Sequence, residues 1–165
     1  MRPAIINVMD KAARRAGRDL SRDFGEVEQL QVSRKGAADF VTAADRRAEE
    51  TIRYELMRAR PEFGFLGEEG GTQAEGDGVH RWIVDPLDGT TNFLHGLPQF
   101  AVSIALEERG QIVAGIVYNP LTDELFWAER GTGAYLNDTR LRVSARQHMS
   151  ESLIATGMPF LGHGD

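Results

Sequence analysis

The apolar pattern of this chain changes period once, near residue 62, and that change limits the fold more than any other feature. Before it, apolar residues recur at three-to-four spacing. Ile5, Val8, Ala12, Ala16, Leu20 and Phe24 form one stripe within residues 4–24, with Arg and Asp on the other side; this predicts an amphipathic helix. Ala44, Ala48, Ile52 and Leu56 form a second stripe, with Pro61 just past its end. Thr42-Ala-Ala-Asp45 places a side-chain acceptor three residues before a carboxylate, close to a capping box, so the second helix is expected to begin there. Between the helices, a strand-like stretch near Leu30–Ser33 runs into a polar turn, Arg34-Lys35-Gly36.

After residue 62 the chain breaks into short β-branched or aromatic runs bounded by turn residues: Phe63–Gly67, Arg81–Asp85, Phe100–Leu106, Gln111–Tyr118 and Glu124–Ala128. These read as strands. In the third, Val102, Ile104 and Leu106 alternate with Ala101, Ser103 and Ala105, so one face suits a bulky core and the other a close-packed helix. Glu107-Glu108-Arg109-Gly110 and Asn119-Pro120-Leu121-Thr122-Asp123 are turn-length connectors, which makes the last three runs an antiparallel meander. Two helices followed by such a sheet predict an α+β fold with the helices on one face. Gly70–Gly78 reads as a mobile loop and Gly131-Thr-Gly133 as a hairpin turn. Residues 1–150 are expected to form one domain. A further apolar strand begins at Ser152-Leu-Ile-Ala-Thr156, so 151–165 reads as the start of a second, α/β domain.

A chain of 165 residues can bury a real core, since about two thirds of its unfolded surface is removed on folding. It has no cysteine, which removes disulfides, thiolate metal sites and cysteine nucleophiles and allows a cytoplasmic location. A formal charge of −6 argues against a nucleic-acid or anionic-membrane binder, whose footprint is basic. Arg14-Arg15 and Arg46-Arg47 read as solvated helix faces. No apolar run approaches the roughly 20 residues of a membrane span, and the N-terminus lacks the apolar core of a secretion signal.

The chemistry concentrates between Leu66 and Phe93. One strand ends in Gly67-Glu68-Glu69-Gly70, another in Trp82-Ile-Val-Asp85-Pro86-Leu87-Asp88-Gly89-Thr90-Thr91-Asn92-Phe93. Pro86 lacks an N–H and is expected to end the ladder there, leaving Asp85 at the edge. Asp88 can fold back toward Asp85, and two carboxylates that close repel unless a cation or proton lies between them. Hard cations such as Mg²⁺ take carboxylate and carbonyl oxygens, and Glu68 would complete the set. Gly89-Thr90-Thr91-Asn92 reads as a helix opening whose N–H groups suit an anion, with Gly89 permitting close approach. Cations beside a phosphate cradle suggest phosphoryl chemistry. From spacing alone a competing reading stays open, in which Asp88-Gly89 is a hairpin turn and Asp85 a strand-end cap. His80, His148 and His163 are isolated, and His95 reads as a packed or loop histidine. Trp82, Phe93, Phe100, Phe126 and Trp127 read mostly as core.

The stretch Trp82-Ile-Val-Asp-Pro-Leu-Asp-Gly-Thr-Thr-Asn-Phe-Leu-His-Gly resembles the signature of the inositol monophosphatase family, the lithium-sensitive Mg²⁺-dependent phosphatases. Gly67-Glu68-Glu69, Lys35 and Asp39-Phe-Val-Thr-Ala-Ala-Asp45 match upstream blocks of that family, and Gly115–Pro120, Glu124–Ala128 and Gly131–Gly133 continue the match. The resemblance implies the layered sugar-phosphatase fold and hydrolysis of inositol 1-phosphate or a related sugar or cyclitol phosphate. It implies two or three Mg²⁺ ions, with Mn²⁺ as substitute and Li⁺ as inhibitor, and a cytoplasmic homodimer.

By the same resemblance, Glu68, Asp85 and the Leu87 carbonyl hold the first metal, and Asp85 and Asp88 the second. Glu68 and Thr90 orient and help deprotonate the attacking water, with Asp45 behind Thr90 and Lys35 near the metal waters. Glu68, Leu87, Asp88 and the main chain at Gly89 and Thr90 bind substrate. The family's second domain supplies a further aspartate and most polyol contacts, so substrate identity is not legible in these residues. Histidinol-phosphate and fructose-bisphosphate phosphatases are alternatives within the superfamily. A metal-binding regulatory protein acting through protein contacts is the alternative from another class.

Overall fold

The computed structural model of the chain describes residues 2–30 and 34–155, with the backbone alone at 28–30 and 34–38. Two long helices, α1 (Ala4–Leu30) and α2 (Arg34–Ala59), pack on each other and on one face of an eight-stranded sheet. The strands are β1 (Gly64–Gly67), β2 (Gly71–Ala74), β3 (His80–Asp88), β4 (Ala101–Glu108), β5 (Gln111–Asn119), β6 (Glu124–Glu129), β7 (Gly133–Leu136) and β8 (Thr139–Arg140). A short helix, α3 (Thr90–Leu94), follows β3, and a single 3₁₀ turn lies at Met149–Glu151. The sheet order is β2-β1-β3-β4-β5-β6-β7-β8. Every neighbouring pair is antiparallel except β1–β3, which is parallel. The sheet is therefore mixed rather than antiparallel throughout, within the expected α+β layering.

The second helical stripe is buried as its period requires: Ala44, Ala48, Ile52 and Leu56 are all 3% exposed or less. Fully burying an Ile or Leu contributes about 1.5–3 kcal/mol. On α1 the buried line is Ile6, Met9, Ala13, Ala16, Leu20 and Val27, one residue round from the expected Ile5 and Val8, which are half-buried. The helix faces both α2 and the sheet, so its apolar arc is wider than a one-sided helix needs. The bulky β-strand face, with Val102, Ile104, Leu106, Ala114, Ile116, Tyr118, Leu125 and Trp127, is buried. Phe126 belongs to the other face and is 38% exposed, so it is not core.

Several local expectations are corrected. The helix α1 runs on through Leu30, where a strand was expected; residues 31–33 of that stretch lie outside the described residues. Arg34-Lys35-Gly36 is helical, and α2 begins there rather than at Thr42. Thr42 and Asp45 are thus interior residues, because an alanine-rich run free of proline continues the helix past a local capping preference. Residues 71–74 of the expected loop pair with β1 as a strand. Pro86 does not end β3: the ladder to β4 passes it through an irregularity between Asp85 and Asp88, where proline is tolerated. Ser152–Ala155 show no regular structure, and residues 156–165 lie outside the described residues. No helix among the described residues is long and apolar enough to cross a membrane.

Candidate functional site

The parallel pairing of β1 with β3 builds the site. Gly67 lies opposite Val84, so Glu68, just past β1, and Asp85, the next residue of β3, come side by side at the same end of the two strands. An antiparallel pair would have sent them to opposite ends. The Glu68 N–H donates to the Val84 carbonyl at 3.0 Å, which locks the two strand ends together. On the other side of β3, Asp85 pairs with Ser103 and Asp88 with Ala101.

After Asp85 the chain coils tightly. The Leu87 N–H donates to Asp85 Oδ1 at 3.1 Å, and the Thr90 hydroxyl donates to the Leu87 carbonyl at 2.9 Å. Gly89 stands between them at φ 93°, ψ 32°, in the left-handed region that favours glycine. A Cβ there would come within 2.9 Å of the Gln99 carbonyl oxygen. The helix α3 then starts, as expected, and its Phe93 is fully buried against Phe24 and Phe100, with ring centroids 5.4 and 4.8 Å away. This aromatic anchor sets the position of the Asp88–Thr90 segment on the sheet edge.

Helix α2 brings acidic groups from below. Among the described residues, four carboxylate side chains are buried: Asp23, Asp45, Glu49 and Glu55. Asp23 pairs with Arg47 and Arg22, and Glu55 with Lys11 and Arg15. Glu49 accepts from the Glu69 N–H and from Gln73 Nε2. Asp45 differs: its Oδ1 is buried with no hydrogen-bond partner. Burial, then the negative charge of Glu69, Asp85, Glu68 and Glu49, pushes the Asp45 carboxyl up to about 7. Asp85 is pushed up to about 7 as well, by burial, by Glu68 hydrogen-bonding and charge, and by Asp88. Two carboxyls raised by one another's neighbourhood are a site short of positive charge.

Asp45, Glu68, Asp85, Leu87, Asp88, Gly89 and Thr90 thus gather around one sheet edge, with Glu68, Asp88 and Thr90 exposed and Asp45 beneath. The Lys35 side chain lies outside the described residues. Among the described residues no three His, Cys, Asp or Glu side chains are placed close enough together to hold a metal ion as they stand. The all-oxygen donor set and the orphaned Asp45 oxygen nevertheless fit a hard divalent cation.

Glu49 is the contributor that sequence reading missed. Its signal was present: it lies four residues after Asp45, on the stripe that carries Ala44, Ala48 and Ile52, where an acidic residue is costly unless partnered. Other expectations are refined or corrected. Arg15, Arg46 and Arg47 are exposed as expected and Arg14 is half-buried, and all four also make ion pairs, Arg14 with Asp10 and Asp123 and the others with Glu55, Glu69 and Asp23 respectively. His80 is not isolated: its Nδ1 lies 2.7 Å from Asp77 Oδ2 and its ring stacks on Phe63. The His95 Nδ1 meets the Thr91 carbonyl at 2.8 Å, a local helix-end contact.

Comparison with known proteins agrees with this arrangement. The family model described as "Inositol monophosphatase family" matches residues 2–164. The inositol-1-monophosphatase of Rhizobium meliloti (strain 1021) is 63% identical over 164 residues, covering 99% of this chain and 62% of the relative. The Nus factor SuhB of Pseudomonas aeruginosa is 45% identical over 158 residues, covering 94% of this chain and 58% of that protein. The crystal structure of extragenic suppressor protein suhB from Bartonella henselae superposes with a TM-score of 0.86 at 63% identity, covering 97% of this chain and 62% of the other. The chain spans about three fifths of the length of the relatives it matches. This chain belongs to the inositol monophosphatase family.

Proposed function

We propose that the protein is a divalent-cation-dependent phosphatase that hydrolyses inositol 1-phosphate or a related sugar or cyclitol phosphate monoester. The observation that carries this reading is the buried, unpartnered Asp45 oxygen beneath a carboxyl group, Asp85, that is itself raised to about 7. Such a cluster is stabilised by cations at neutral pH. Glu68, Asp85, Asp88 and the Leu87 carbonyl are the residues that would hold Mg²⁺, or Mn²⁺ in its place. Bound cations would neutralise the substrate phosphate and favour ionisation of water.

The chain's own groups divide the remaining work. Glu68 and Thr90 orient the attacking water, and Glu68 takes its proton. Asp45 supports Thr90 from below. The main chain at Gly89 and Thr90 receives the phosphate, and Asp88 reaches a substrate hydroxyl. The name borne by the 63%-identical relative supports inositol 1-phosphate as the first substrate to try. Lithium inhibition, a homodimer and a cytoplasmic location belong to the same proposal and rest on the family.

A phosphate-release assay with inositol 1-phosphate and Mg²⁺ tests the reading, with histidinol phosphate and fructose 1,6-bisphosphate as competitors. The Asp85→Asn variant should keep the fold, since an amide oxygen still accepts from the Leu87 N–H. It should lose cation-dependent turnover, because a neutral amide is a poorer ligand for hard cations; near-normal activity overturns the assignment. One observation favours a second reading, a regulatory protein acting through protein contacts: a 45%-identical relative bears the name Nus factor. Cation binding without turnover of any of these substrates would favour it.

A further inference from the structure

The carboxylate of Glu49, a residue 5% exposed on α2, bridges the turn that follows Glu68. Its Oε2 accepts from the Glu69 N–H at 3.0 Å and its Oε1 from Gln73 Nε2 on β2 at 2.5 Å. The Glu68 N–H, just past β1, still reaches β3 at the Val84 carbonyl, and the next N–H, that of Glu69, is taken by Glu49. The Glu49 and Gln73 side-chain ends occupy the space beside Gly67 and Gly70 and would have to shift to admit a side chain there. A Cβ on Gly67 would lie 2.2 Å from Glu49 Oε2, and one on Gly70 would lie 1.9 Å from Gln73 Nε2.

We infer that Glu49 is a positioning residue: its two carboxylate oxygens tie Glu69, the residue that follows Glu68, to Gln73 on β2 and so aim Glu68 at Asp85. The inference rests on reading Glu68 as a cation ligand. It makes a distinction that charge alone does not. In Glu49→Gln the amide oxygen still accepts from the Glu69 N–H, and the Gln73 amide can turn over to accept from the new NH₂. Both ties survive while the charge is lost. In Glu49→Ala both ties go.

Calorimetric titration of the chain with Mn²⁺, together with hydrogen exchange at the Glu69 amide, tests this. Glu49→Ala should weaken Mn²⁺ binding by about tenfold or more and Glu49→Gln by about threefold or less, as expected for partners that orient a ligand. Exchange of the Glu69 amide should accelerate in the alanine variant and stay slow in the glutamine variant. Equal weakening in both variants would show that charge is what matters and overturn the inference. So would unchanged affinity or unchanged exchange in Glu49→Ala. Should Glu49→Ala not fold, Gln73→Ala decides: its half-exposed side chain can be removed from the surface, and severalfold weaker Mn²⁺ binding supports the inference while unchanged binding overturns it. Absence of saturable Mn²⁺ binding in the unaltered chain overturns the cation reading and this inference together. Binding that survives Glu49→Ala intact overturns this inference alone.

Discussion

Thr90 donates its hydroxyl proton to the Leu87 carbonyl, the same oxygen proposed as a cation ligand, so the residue joins the turn to the chemistry. Replacing it by alanine removes one half-exposed hydrogen bond, worth about 1 kcal/mol of stability. It also removes a group that orients water, which is worth roughly a hundredfold in kcat. Thr90→Ala is therefore expected to lower kcat at least tenfold more than it raises KM, with Thr90→Ser much closer to wild type. Steady-state kinetics on both variants check this, and similar, near-normal rates would move the role elsewhere.

The acidic cluster makes a second residue-scale prediction. Asp45 and Asp85 are raised from the ordinary 3.8 to about 7, so between these values the folded, metal-free protein holds more protons than the unfolded chain. The stability this confers is complete below about pH 4 and is lost as pH rises through about 7. Urea denaturation in the presence of a chelator should show falling stability from pH 5 to pH 7.5 and little change beyond. Asp45→Asn should flatten that slope, and saturating Mn²⁺ should reverse it.

At the scale of elements, α1 lies so close to the sheet that a glycine is required in its middle. A Cβ on Gly17 would meet the Pro120 Cβ and the Tyr118 Cε1 at 2.9 Å. Alanine in a helix interior gains about 1 kcal/mol over glycine, but here it must push against a rigid proline. The Tyr118 ring is held too, by Asp123 accepting from its hydroxyl and by the Arg14 guanidinium 4.9 Å from the ring centre. Overpacking at such a contact costs about 1–3 kcal/mol. Gly17→Ala is thus expected to destabilise despite its helix propensity, by up to about 2 kcal/mol in urea denaturation. A gain in stability would show that α1 can ride away from β5 freely.

Over the whole molecule, the helices cover one sheet face and leave the other exposed. Ile112, Val117, Phe126 and Leu141 are 55%, 42%, 38% and 39% exposed. With the small Ala105, Gly115 and Ala128 they line an open apolar trough of 790 Å³. A polypeptide of these 165 residues alone is expected to bind Mn²⁺, since Glu68, Asp85, Asp88 and the Leu87 carbonyl are all within it. The apolar trough should also drive self-association. Calorimetric titration checks the first and light scattering the second; no saturable Mn²⁺ binding, or a monodisperse monomer, would overturn them in turn.

Local patterns in the sequence determined the α2 stripe, five of the strands and the β4–β5–β6 meander. Each depends on periodicity or turn chemistry within about ten residues. What the tertiary structure decided is of another kind. No local signal says that β1 pairs parallel with β3, and that choice alone puts Glu68 and Asp85 at the same end of the two strands. The capping signal at Thr42 was overridden by the continuing helix. The loop at 71–74 became a strand because β1 offered an open edge. The stripe marks Glu49 as an acid that needs a partner, yet only the fold buries it against Gly67 and supplies the Glu69 N–H. Propensity acts between neighbours in the chain, whereas strand direction and the pairing of a buried carboxylate depend on contacts that exist only once distant segments have met.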